Sequence, residues 1–91
     1  MQTNTDELKL LRSQIDEIDN EIIELFIKRM DNVKGIKHIK TLNNIPTTDS
    51  KREQEIYDKL NIKYSDSDLL EYIIELENKL IELSKLYQSK K

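Results

Sequence analysis

An apolar repeat near the start of the chain constrains its fold more than any other feature. From Leu8, apolar residues fall at Leu11, Ile15, Ile18, Ile22 and Leu25, at spacings of 3, 4, 3, 4 and 3. That alternation keeps one stripe of side chains on one face of an α-helix, the seam with which a helix packs against a partner helix. The pattern continues loosely through Val33, Ile36 and Ile39, and no proline interrupts it before Pro46. Thr3, Asn4 and Thr5 are candidate N-caps. One helix is therefore predicted from about residue 6 to about residue 42. Gly35 inside it costs about 1 kcal/mol relative to alanine, which does not by itself end so periodic a helix.

The length of this helix has a consequence. A helix of about 37 residues spans roughly 55 Å, whereas a compact domain of this chain length has a radius of gyration of only about 12 Å. The helix must project beyond its own chain's globule. Its seam would stay exposed in a monomer, an apolar strip that soluble monomers rarely tolerate. The expectation is an oligomer, most simply a two-fold dimer with paired long helices.

The remaining chain reads as two more helices. Asn43, Asn44 and Pro46 mark a loop over 43–48. Ser50 with Glu53 three residues on reads as a capping box, so a short second helix is predicted over about 49–60. Ser65 with Asp68 repeats the signature. A medium third helix follows over about 66–88, with Leu69, Ile73, Leu76, Leu80, Leu83 and Tyr87 spaced 4, 3, 4, 3 and 4. The expected fold class is all-α, with the three helices forming a single domain over residues 1–91.

Composition excludes several function classes. The chain has no Cys, and Gly35 is its single glycine, which rules out a disulfide scaffold, a Cys-based zinc site and a Gly-rich phosphate loop. His38 is the only histidine, so a His-rich metal site is excluded and a His-dependent triad has little support; no metal or cofactor is expected. Charged residues are 36% of the chain, yet Leu, Ile, Val and Phe account for 27 of the 91 residues, above the roughly 20% typical of disordered chains. A net charge of -3 argues against nucleic acid or an anionic membrane as partner, so any anion must be held by a local cluster. The first ten residues carry Asp6 and Glu7 and no apolar stretch, and no run approaches the roughly 20 apolar residues of a membrane span. No signal peptide and a cytoplasmic location are the expectations.

Lysine outnumbers arginine 12 to 3, which sets Arg12, Arg29 and Arg52 apart. Arginine's planar fork binds a carboxylate bidentately, as lysine's point charge cannot, so each is a candidate carboxylate ligand; ordinary surface charge is the alternative for any one alone. Arg29 falls on the next seam position after Leu25, where an apolar residue is expected, and a charge there must be paired or bind something. Lys40 lies 11 residues on, about three turns, and so projects from nearly the same face. Arg12 is 28 residues before Lys40, roughly 42 Å along a straight helix, too far for one small ligand within one chain. In an antiparallel pair of helices, a site shared between protomers becomes possible. On the second helix Asp49, Arg52 and Glu53 gather a cation and carboxylates, for which N-terminal capping is the plainer explanation. Ser84 and Gln88, four apart, share a face of the third helix, where two neutral polar residues are ordinarily just solvated.

Taken together these residues resemble the AroQ-type, all-helical chorismate mutases. The resemblance runs through Leu11-Arg12-Ser13-Gln14-Ile15-Asp16-Glu17-Ile18-Asp19, Lys28-Arg29-Met30, Lys40 and Asp49-Ser50-Lys51-Arg52-Glu53 to Ser84 and Gln88. It implies an intertwined helical homodimer in which Arg12 reaches across the interface into the partner's site. It further implies that Arg12 and Arg29 grip the two carboxylates of chorismate while Lys40 and Gln88 bond the ether oxygen of the breaking bond. Glu53, assisted by Asp49, would hold the ring hydroxyl, with Arg52 and Ser84 lining the pocket. The implied reaction is the Claisen rearrangement of chorismate to prephenate, in aromatic amino-acid biosynthesis. Two other readings stand beside it: an isochorismate pyruvate lyase of the same fold, which generally lacks the counterpart of Glu53, and a non-enzymatic dimeric helical adaptor, which leaves Arg29 on the seam unexplained.

Overall fold

Three helices form where the apolar spacing places them. In a computed structural model of the chain, which describes residues 3–90, α1 runs Thr3–Leu42, α2 Ser50–Lys63 and α3 Leu70–Ser89. No strand occurs among the described residues, and the fold is all-α. None of these helices is long and apolar enough to cross a membrane. Thr3, Asn4 and Thr5, expected as caps, are already helical.

The helix ends show which local signals act. At the end of α1, Asn44 adopts φ 55, the left-handed conformation that asparagine tolerates better than most residues. The chain reversal this allows lets Ile45 N donate to Lys40 O at 2.8 Å and Asn44 N to Thr41 O at 3.5 Å, the paired bonds of a Schellman cap. At the start of α2 the cap is Asp49 rather than Ser50: Asp49 Oδ1 accepts from Arg52 N at 3.0 Å, so the expected box from Ser50 to Glu53 does not form. α2 also runs past residue 60, ending at Lys63. The box expected at Ser65 and Asp68 is likewise absent, and α3 begins at Leu70 rather than near 66. There Ser67 Oγ accepts from Leu69 N at 3.0 Å, a local turn that delays the helix.

The chain divides into two units, Met1–Asn32 and Val33–Lys91. Over its described residues the first is helix alone. Its stripe of Leu8, Leu11, Ile15, Ile18, Ile22 and Leu25 is open to solvent, from 46% at Leu8 to 63% at Leu25. In the second unit α2 packs on α3. Glu53 pairs with Lys85 and Tyr57 Oη donates to Asn78 Oδ1, so the register rises along α2 as it falls along α3 and the two run antiparallel. Lys37 Nζ donates to Lys90 O and ties the last part of α1 to the end of α3. Among the described residues Val33 is the buried apolar side chain and Ser84 the buried polar one, so these residues form little core by themselves.

Candidate active site

The second unit holds six of the eight residues singled out above, and their surroundings differ. Lys40 is built into the end of α1. Its carbonyl receives the Schellman bond from Ile45, and its Nζ donates to Thr47 O at 2.8 Å, so loop and ammonium are fixed together. Lysine carries three N–H donors, which leaves two for a ligand. Asp49 spends one carboxylate oxygen on the cap of α2, as the plainer reading anticipated. Arg52 is exposed and lines an open groove along α2 with Ile56, Leu60 and Tyr64.

Glu53 does not cap. One turn into α2 it is turned toward α3, where its Oε2 lies 2.9 Å from Lys85 Nζ. Ser84, next to Lys85 in the chain, is buried, and its Oγ donates to Leu80 O at 2.8 Å. A helical serine with no outside water commonly satisfies its hydroxyl in this way. One turn further, Gln88 Oε1 is buried with no hydrogen-bond partner. Buried polar atoms in folded proteins are almost always paired, and this one lies on the same face of α3 as Ser84. The α2–α3 register thus sets Glu53 against Lys85, the residue after Ser84 and three before Gln88. Lys40 and Gln88 sit near the two helix ends that Lys37 joins to Lys90 O.

Arg12 and Arg29 lie in the first unit, Arg12 exposed and Arg29 half-buried and engaged. A family model described as chorismate mutase type II matches residues 11–89, from just before Arg12 to just beyond Gln88. The chain belongs to the chorismate mutase type II family. Among chains similar to this type II chain, a chorismate mutase of Methanocaldococcus jannaschii is 40% identical over 55 residues, 60% of this chain and 56% of that one. A bifunctional chorismate mutase/prephenate dehydratase of Aquifex aeolicus is 44% identical over 55 residues, 60% of this chain and 15% of its own length. One of the same description from Buchnera aphidicola is 36% identical over 85 residues, 92% of this chain and 22% of its own length. The matches therefore span about half of the first relative and less than a quarter of the two bifunctional ones. No solved structure matches the chain significantly.

Sequence reasoning about this type II chain passed over Lys85. Nothing in its spacing distinguishes it from the other lysines; only the register of α2 against α3 brings it to Glu53.

Proposed function

We propose that the chain is a chorismate mutase that converts chorismate to prephenate as a homodimer, each site completed by an Arg12 from across the interface. The observation that carries this reading is the family match over residues 11–89, which includes every candidate ligand from Arg12 to Gln88. The exposed stripe from Leu8 to Leu25 supports the pairing, because a second copy brings an identical apolar stripe to cover it. A cytoplasmic setting in aromatic amino-acid biosynthesis belongs to the same reading.

A Claisen rearrangement is unimolecular and transfers no proton, so it needs neither nucleophile nor base. Its barrier falls when the substrate is held in a compact reactive conformer and positive charge meets the ether oxygen as that atom gains negative charge. Two arginine forks suit a dicarboxylate. Lys40, with two free donor directions, and Gln88 serve the ether oxygen. Turning the Gln88 amide by half a turn exchanges Oε1 for Nε2, which makes the buried end a donor. Glu53 accepts the ring hydroxyl with help from Asp49, and Ser84 and Arg52 shape the wall.

Incubating the purified protein with chorismate and identifying the product tests the proposal. Consumption with prephenate formed is the expected result, and Lys40→Ala and Arg29→Ala should fold while turnover falls roughly 10²- to 10³-fold. Chorismate left intact would move the reading to the adaptor, or to the lyase if isochorismate is cleaved instead.

A further inference from the structure

Glu53 carries an ionic partner without any ligand bound. Lys85 Nζ reaches Oε2 at 2.9 Å, with side-chain exposures of 37% for the lysine and 25% for the glutamate. No other hydrogen-bond partner of this carboxylate occurs among the described residues. An ionised carboxylate offers about four acceptor directions on its two oxygens, so the ammonium fixes one oxygen and leaves Oε1 unspent. Lys85 also follows Ser84 directly and shares a helical turn with Gln88, so it belongs to the part of α3 that carries the site. A lysine that merely joined α2 to α3 would have no reason to use a site residue. That joining is already done further along the contact by Tyr57 and Asn78.

We propose that Lys85 is a positioning residue that holds the Glu53 carboxylate in place and presents Oε1 to the ring hydroxyl of the substrate. This rests on the reading of Glu53 as the hydroxyl acceptor of a chorismate mutase. A ring hydroxyl is bonded alike in ground and transition states, so misplacing its acceptor weakens substrate binding and leaves the chemical step nearly unchanged.

Steady-state kinetics with chorismate on the full chain decide the matter. Lys85→Met keeps the length of the side chain and removes its charge; it should raise KM roughly tenfold with kcat within about threefold of the parent. Lys85→Gln serves the same purpose if the methionine variant does not fold, and Lys85→Arg should return KM to near the parent value. Tyr57→Phe cuts a second polar tie between α2 and α3, so it should lower the melting temperature and leave KM alone. Exchanging the pair, Glu53→Lys with Lys85→Glu, should keep the melting temperature and raise KM at least as far as Lys85→Met does, with kcat again little changed. An unchanged KM in Lys85→Met, or the same KM rise in Tyr57→Phe, would reduce Lys85 to a helix tie and overturn the proposal. Failure of the parent protein itself to consume chorismate would be seen before any variant is made; it would overturn the functional reading and this one with it.

Discussion

Leaving a buried amide oxygen without a partner costs a folded protein about 1 to 3 kcal/mol, and Gln88 Oε1 is in that position. Gln88→Leu removes the orphan at similar volume, so its thermal midpoint should equal or exceed that of the parent while turnover drops by about 10²-fold. Calorimetry alongside the chorismate assay reads both. Opposite movement of stability and rate is the signature of a polar group kept for its ligand. The sequence singled out Gln88 and Ser84 by their shared face, yet could not tell a solvated pair from a buried one, because burial depends on tertiary packing that local spacing does not encode. Asp49 shows the converse. Its type and position announced a helix cap, and a cap it is, since that bond closes within three residues and needs no tertiary partner.

At the scale of elements, local chemistry explains where the helices run and tertiary register explains the rest. α1 was legible from Leu8 to Leu42 because its apolar spacing persists over many turns, and Gly35 did not break it. Gly35 has no positive φ, and nothing lies within 4 Å of where a Cβ would stand. Gly35→Ala should therefore raise the urea midpoint, by a free energy of about 0.5 to 1 kcal/mol, with the denaturant slope unchanged. The start of α3 was misread for a reason visible in the structure: Ser67, between the two residues of the expected box, makes its own turn with Leu69 N and holds the helix back to Leu70. Lys85 escaped notice because its partner lies 32 positions away on another helix.

At the scale of the whole molecule, the proposed sharing of sites between two chains has an arithmetic consequence. Arg12→Ala and Arg29→Ala chains should each be nearly inactive alone. If they are unfolded and refolded together in equal amounts, half of the pairs are mixed, and each mixed pair regains one intact site. Activity should recover to roughly a quarter of the parent value, read by the same chorismate assay; no recovery would place both arginines in one chain's site.

Loops between helices are where proteins ordinarily absorb insertions without harm. The one between α1 and α2 lacks that freedom. Thr47 O holds the Lys40 ammonium, and Asn44 turns the chain so that it can. A residue added between them would carry that carbonyl away from the charge even if every helix stayed intact. Such a segment can change its letters over generations far more easily than its length.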